Sequence, residues 1–420
     1  MINRLQDQMK NHGFNTRAIH GETSRPDNHR AIRYPIYAGV AYDFESAEDI
    51  EHAFSGEKPA HAYSRSSNPT VEAFERKITS LEGGHGTVAL ASGMAAISNI
   101  VFNLLEKGDN LLASPYLFGN TYSLFKHTLS KLGIETRFVD ISRPEAMRAA
   151  MDDRSRLLFF ETISNPQMVV PDIRQVSKVA HAGGLAVVAD ATVTTPRLFN
   201  AGEFDIDVVV HSTTKYISGG ATSVGGVIVD MGQADWTRFP SLANHHEAGR
   251  NAFINRLRKE VYRNFGSCMS PQSAHLQSLG LETLSLRIER SSSNAIELAS
   301  FLEQHSLVKA VFYPGLTSSP YFELARDQFR GHFGGILGFE LTDRKTCYAF
   351  LNALQLIRRA TNLNDNCSLI IHPASTIYAD FSPEEKREVN VSEGLIRLSV
   401  GIEDVEDLQH DLEQALDAIR

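Results

Sequence analysis

The run Asp207-Val208-Val209-Val210-His211-Ser212-Thr213-Thr214-Lys215-Tyr216 decides the fold. Its first half is short, apolar and β-branched and gives way to turn residues, which reads as a strand buried on both faces, as in a parallel sheet. Its second half delivers a cluster of hydroxyls and one primary amine to the carboxyl end of that strand. In open α/β sheets ligands bind at that edge. A lysine that merely ends a strand is ordinarily solvent-exposed, so the rest of the chain has to decide between the two readings.

Working outward, similar apolar runs recur at Thr87–Ala91, Asn110–Ala113, Thr136–Val139, Leu157–Phe160, Leu185–Ala189 and Gly226–Val229. They alternate with helical patterns such as Ala95–Leu105 and Ile173–Ala182, the second ended by Gly183-Gly184. Strands alternating with helices predict an α/β fold: a mostly parallel seven-stranded sheet with helices on both faces. Residues 1–64 lack this rhythm, hold the loop-like Thr23-Ser24-Arg25-Pro26-Asp27-Asn28, and read as an N-terminal arm packing on a partner subunit or domain. Residues 65–266 form the sheet domain. From 267 to 420 the pattern turns to long helices (Ser292–Gln304, Val405–Ile419) and shorter strands (Gly334–Leu341, Leu395–Val400), a smaller C-terminal α+β domain.

A chain of 420 residues has room for such a two-domain core. With 41 Lys and Arg against 50 Asp and Glu, the net charge of −9 gives no electrostatic footprint for nucleic acid. Cys268, Cys347 and Cys367 lack paired spacing, so neither a disulfide framework nor a metal site is expected. Met1–Lys10 has no apolar core of a secretory signal, and no stretch approaches the roughly 18 to 20 apolar residues that span a bilayer. The expectation is a cytoplasmic protein without membrane contact.

Several residues give the Lys215 edge a chemistry. Ser and Thr hydroxyls beside a lysine suit a ligand carrying both a phosphate and an aldehyde, because the amine can form a Schiff base. Ser92-Gly93-Met94 joins a strand end to a helix start, where free backbone N–H groups and the helix dipole cradle phosphate. No Walker A sequence and no G-x-G-x-x-G after a strand is present. Asp190 ends Val187-Val188-Ala189-Asp190, next to Thr192; it is either a helix cap or the partner of a protonated ring nitrogen. Tyr63 and Arg65 stand two apart in a loop, exposed in the plain reading and suited to phosphate in the other. Arg397, inside Leu395-Ile396-Arg397-Leu398, needs either a structural ion pair or an anion such as a substrate carboxylate.

In order along the chain, Tyr63-Ser64-Arg65, Asn68-Pro69-Thr70, Ser92-Gly93-Met94, Glu161 with Asn165-Pro166, Asp190 with Thr192, Ser212–Lys215, His372-Pro373-Ala374-Ser375 and Arg397–Gly401 resemble the Cys/Met-metabolism family of fold-type I pyridoxal-phosphate enzymes. That family contains cystathionine γ-synthase, cystathionine lyases, methionine γ-lyase and the O-acylhomoserine sulfhydrylases. The resemblance implies a fold-type I transferase in which pyridoxal 5'-phosphate is held as a Schiff base on Lys215, which then shuttles protons. It implies phosphate binding by Ser92, Gly93, Met94, Ser212 and Thr214, joined by Tyr63 and Arg65 from a neighbouring subunit. Asp190 would meet the pyridine nitrogen with Thr192 beside the ring, Asn165 would lie near the phenolic oxygen, and Arg397 would bind the substrate carboxylate. Sites shared between subunits imply at least a dimer, and the family is typically a homotetramer.

Two departures narrow the activity. The family usually reads Leu-Tyr-Gly-Gly-Thr where this chain has Leu117-Phe118-Gly119-Asn120-Thr121. Phe118 keeps the stacking ring and loses the hydroxyl, for which Tyr116 or Tyr122 are the candidate replacements. Methionine γ-lyases often carry Cys at the place of Asn120. Where lyases read Ser-Leu-Gly, this chain has Asn362-Leu363-Asn364-Asp365, and an Asn at that substrate-binding position looks like the O-acetylhomoserine sulfhydrylases. The expectation is γ-replacement on O-acetyl-L-homoserine by sulfide or a small thiol. The alternative is γ-elimination by a methionine or cystathionine γ-lyase, with cystathionine γ-synthase and a non-catalytic cofactor-binding protein behind it.

Overall fold

The computed structural model describes residues 11–21, 29 and 31–420; the loop read at 23–28 and the N-terminal ten residues lie outside the described residues. The seven apolar runs form the strands of one sheet: β1 (Gly86–Leu90), β2 (Asn110–Ala113), β3 (Glu135–Phe138), β4 (Ser155–Glu161), β5 (Ala186–Asp190), β6 (Val208–His211) and β7 (Gly226–Asp230). Their order is β1-β7-β6-β5-β4-β2-β3. β2 to β6 pair in parallel, whereas β7 runs antiparallel to both of its neighbours.

Alternate residues of each strand enter opposite faces of this sheet. Leu158, Phe160, Val187, Ala189 and Val209 join one apolar cluster, while Leu157, Phe159, Ala186, Val188, Val208 and Val210 join another. Both clusters are buried, which is why these strands read as continuous apolar runs rather than as polar–apolar alternation.

The helices follow from caps that the sequence carries. In α1 (Phe14–His20) the buried Ala18 packs into the first cluster, so part of the N-terminal segment rests on its own chain. α2 (Ala47–Ser55) is capped by Ser46, and α3 (Pro69–Glu82) by Asn68, whose Oδ1 accepts from the backbone N–H of Thr70 and Val71. α4 (Gly93–Leu104) opens on Ser92, whose hydroxyl accepts from Ala95 N–H. α5 spans Ile173–Ala182 as read from the sequence. α6 (Pro271–Glu282) precedes α7 (Leu284–Gln304), and the helix read at Ser292–Gln304 is only the second part of α7. α8 covers Val405–Asp417.

A second, five-stranded sheet holds β8 (Ala310–Phe312), β9 (Ile336–Glu340), β10 (Arg358–Arg359), β11 (Leu369–Ile371) and β12 (Leu395–Ser399), in the order β10-β11-β12-β9-β8. Arg397 sits mid-strand in β12, opposite Ile371 of β11 and Gly338 of β9.

α6 supports the turn that follows Lys215. At Gly280 an added Cβ would collide with the carbonyl oxygens of Ile217 and Ser218, the latter at 2.6 Å, and backbone cannot step aside as a flexible side chain would. Gly280→Ala is therefore expected to destabilise the fold by about 1–3 kcal/mol, the usual scale of overpacking. Thermal unfolding checks this: a lower Tm is expected, and an unchanged Tm would show that this approach does not constrain the turn.

Candidate active site

The carboxyl ends of β1, β4, β5 and β6 converge on a cavity of about 680 Å³. Ser92, Gly93, Met94, Phe118, Asn165, Asp190, Thr192, Ser212, Thr214, Lys215 and Asn362 all line it, although they come from segments up to 270 residues apart in sequence. The volume suits a small-molecule ligand together with a substrate. Tyr63, Arg65 and Arg397 are not among the lining residues.

At one end the cavity is built for an anion. The first N–H groups of α4 have no partner within the helix and point out of its positive end. Gly93 is required there by space, because a Cβ would lie 2.7 Å from Ser212 Cβ. Gly226 opposite has the same constraint, a Cβ there falling 2.7 Å from Gly93 N. Ser212 N–H donates to Thr192 Oγ1 at 2.8 Å, tying the two hydroxyl-bearing turns together. Thr214 Oγ1 donates to Gly225 O at 3.1 Å.

At the strand ends lie two carboxyl groups in register, Glu161 on β4 and Asp190 on β5. Burial pushes both up from the usual carboxylate range, and the charge of Asp190 pushes Glu161 further. Asp190 is pulled back by Thr192, whose N–H and Oγ1 donate to its Oδ1 at 3.0 and 2.6 Å, and by the nearby His211. Both of these hydrogen bonds fall on Oδ1, which leaves Oδ2 for a protonated ring nitrogen. Behind this layer the His211 ring is hydrogen-bonded to Glu82, both fully buried. Glu161 accepts from the backbone N–H of Phe118 at 2.5 Å and of Asn165 at 3.1 Å. It therefore sets the two loops that carry those site residues. Glu161 carries the same sequence signal as Asp190, an acid closing a buried apolar run, and the structure adds its role. The Asn165–Pro166 peptide is cis, and Asn165 Oδ1 is buried with no hydrogen-bond partner.

Lys215 reaches across to the other lobe of the site. Its Nζ donates to Asn362 Oδ1 at 2.7 Å. Burial, and then the positive charge of Arg397, push the lysine down to about 8, while Asp365 pulls in the other direction. Arg397 is fully buried and lies one layer behind the cavity wall. Its Nη2 donates to the carbonyl oxygens of Asn362 and Thr361 at 2.8 and 3.3 Å. Nε and Nη1 are buried without partners, and burial pushes the guanidinium down to about 10. Leaving buried donors unpaired costs about 1–3 kcal/mol each, so these two N–H groups keep unmet capacity for an anion that reaches them.

Phe118 lines the cavity, but neither candidate replacement for its missing hydroxyl does. Tyr116 Oη accepts from Asn390 Nδ2 at 2.9 Å, and Tyr122 Oη accepts from Lys126 Nζ at 3.0 Å with its ring stacked on Phe138. Tyr63 and Arg65 lie away from the cavity on the surface. Arg65 Nη1 donates to Arg263 O at 2.8 Å, and 42% of Tyr63 is exposed, open to another molecule. Among the described residues no cluster of metal-ligating side chains is present.

An anion cradle, an acid with one free oxygen, a buried unpaired amide oxygen and an amine of lowered pKa fit the phosphate, ring nitrogen, phenolic oxygen and aldehyde of pyridoxal 5'-phosphate. Comparison with known proteins points the same way. The L-methionine gamma-lyase of Pseudomonas putida is 40% identical over 97% of this chain and 98% of its own length. The O-acetyl-L-homoserine sulfhydrylase of Corynebacterium glutamicum is 38% identical over 97% of each chain. A crystal structure of a Campylobacter jejuni protein, designated an O-acetylhomoserine (thiol)-lyase and carrying a pyridoxyl-lysine monophosphate, superposes with a TM-score of 0.93 at 35% identity, covering 97% of this chain and all of the other. Residues 15–417 match the family described as Cys/Met metabolism PLP-dependent enzyme, and the chain belongs to that family.

Proposed function

We propose that the chain catalyses γ-replacement on O-acetyl-L-homoserine: acetate leaves Cγ, and sulfide or a small thiol takes its place, giving homocysteine or methionine. The observation that carries this reading is the contact between Asn362 and Lys215, because Asn362 opens the segment that separates the sulfhydrylase pattern from the Ser-Leu-Gly of lyases. The sulfhydrylase relatives support it.

In this reading Lys215 holds the cofactor's aldehyde. Gly93 and Met94 N–H groups and the Ser212 and Thr214 hydroxyls hold its phosphate, with Ser92 capping the helix beneath. Tyr63 and Arg65 of a neighbouring subunit complete the phosphate site. When bound, pyridoxal 5'-phosphate supplies an electron sink for charge that develops at the substrate's Cα and Cβ. Asp190, steadied by Thr192, keeps the ring nitrogen protonated. Asn165 would hold the phenolic oxygen, and Phe118 would supply an apolar ring beside the pyridine. Arg397 takes the substrate carboxylate, with Asn362 beside it. Lys215 Nζ would take the Cα proton, pass it on and, neutral again, take a Cβ proton, later returning one proton to each carbon. Its depressed pKa leaves enough neutral amine near pH 8 for that work. Because Tyr116 and Tyr122 are turned away, the proton transfers fall to Lys215.

We also read residues 1–64 as an inter-subunit arm, 65–266 as the cofactor domain and 267–420 as the C-terminal domain. The assembly is a homotetramer with a dimer as its smallest active unit, working in the cytoplasm. The free state of Cys268, Cys347 and Cys367 agrees with a reducing compartment. No helix among the described residues is long and apolar enough to cross a membrane.

The second reading is γ-elimination, releasing 2-oxobutanoate and ammonia, and the identity to the Pseudomonas putida lyase favours it. A paired assay separates the two. O-acetylhomoserine plus sulfide should yield homocysteine and acetate, while methionine alone should yield little 2-oxobutanoate; rapid 2-oxobutanoate from methionine without homocysteine in the first tube would overturn the assignment. The shared site makes a second prediction. Lys215→Ala and Arg65→Ala subunits, each nearly inactive alone, should regain activity when co-refolded, because a mixed dimer holds one intact site. Additive residual activity would show that each site is built from one chain.

A further inference from the structure

We propose that Asp365 is a positioning residue for Lys215: its carboxylate turns the Asn362 amide so that the side-chain oxygen, not the NH2 group, faces the lysine nitrogen. This rests on the reading of Lys215 as the Schiff-base lysine. Asp365 does not line the cavity. It acts from behind, through two hydrogen bonds in series. Asn362 Nδ2 donates to Asp365 Oδ2 at 3.1 Å, and Lys215 Nζ donates to Asn362 Oδ1 at 2.7 Å. The backbone of the same residue is fixed independently, since Asn362 O accepts from Arg397 Nη2 at 2.8 Å. Asp365 is itself held, its Oδ1 accepting from Cys367 N–H at 3.3 Å. The turn that brings it round puts Asn364 at φ +56°, a conformation that Asn tolerates better than most residues, and anchors Asn364 N–H on Ser399 Oγ at 2.7 Å.

The two ends of an amide do opposite things to a lysine. The oxygen accepts an N–H and leaves the amine's lone pair for the cavity, where a substrate proton has to be collected. An NH2 in its place would donate to that lone pair and oppose the ammonium form. A carboxylate on the far side of Asn362 decides between them, because only Nδ2 can donate to it. The charge also acts directly. Of the charged groups around the lysine, Arg397 on β12 opposes its ammonium, and Asp365 favours it. Glu161 and Asp190 stand across the cavity. Arg287 on α7 underlies the turn through Tyr216 O, its Nη1 donating at 2.7 Å.

Asp365→Asn tests this on the holoenzyme by two readouts. The first is the pH titration of the visible band of the lysine-bound cofactor. The second is the pH profile of Cα hydrogen–deuterium exchange into L-norleucine, an amino acid with no γ group to expel. Losing the anion disfavours protonated nitrogen, so both transitions should move to lower pH by roughly half a unit or more. The plateau exchange rate should fall about ten- to hundredfold as the amide loses its orientation. Asp365→Glu should restore the titration toward wild type. Should Asp365→Asn not fold, Asn362→Ala replaces it, with the same acid shift of the band and loss of exchange expected. Titrations that superimpose on wild type, at whatever plateau rate, would overturn the proposal. A wild-type enzyme with no visible band would instead overturn the Schiff-base reading beneath it.

Discussion

A primary amine enclosed at a sheet edge is the constraint around which the site is arranged. Water would hold Lys215 as an ammonium ion, but burial and the adjacent Arg397 remove much of that preference. What remains is one hydrogen bond, to Asn362 Oδ1. The lysine comes from the end of β6 and the amide from a loop between strands of the other sheet, so the contact joins the two sheets of the molecule. The packing that holds β6, the glycine of α6 beneath the following turn and the Arg397 bonds behind Asn362 all bear on one nitrogen atom.

The opposite wall is governed by a second electrostatic conflict. Two neighbouring buried carboxyl groups cannot both ionise cheaply, and Glu161 and Asp190 divide the task by their partners. Backbone N–H groups of Phe118 and Asn165 tie Glu161 to loop geometry, whereas Thr192 and His211 favour the ionised form of Asp190. One acid builds and the other is left with an oxygen to offer. A cationic ring nitrogen beside Asp190 would relieve the conflict, which would link the stability of this edge to the cofactor that the family uses.

Much of this was legible in the sequence because it rests on local patterns. Short apolar runs mark each strand of the large sheet to within a residue or two, most plainly in the central strands, which are buried on both faces. The Ser92 cap, the Asp190 strand end and the hydroxyl cluster before Lys215 likewise announce themselves within a few residues. Contacts made at long range did not. Nothing in Gly226–Val229 says that β7 runs against its neighbours. The polar first turns of α7 concealed a helix starting at Leu284 rather than Ser292. Arg397 was read as an anion partner without any sign that it would stand behind Asn362. Tyr116 and Tyr122 looked equally able to replace a hydroxyl until Asn390 and Lys126 claimed them. Asp365 closes the Asn362–Asp365 segment, but no local pattern marks it out, because its effect passes through a neighbour's amide.

Everything at this edge converges on the nitrogen of Lys215 as the one amine that would bond the cofactor. Borohydride reduction of the purified enzyme followed by peptide mass spectrometry tests it most directly. A pyridoxyl phosphate adduct is expected on the peptide carrying His211-Ser212-Thr213-Thr214-Lys215. An adduct on another lysine, or a cofactor released intact after reduction, would contradict it.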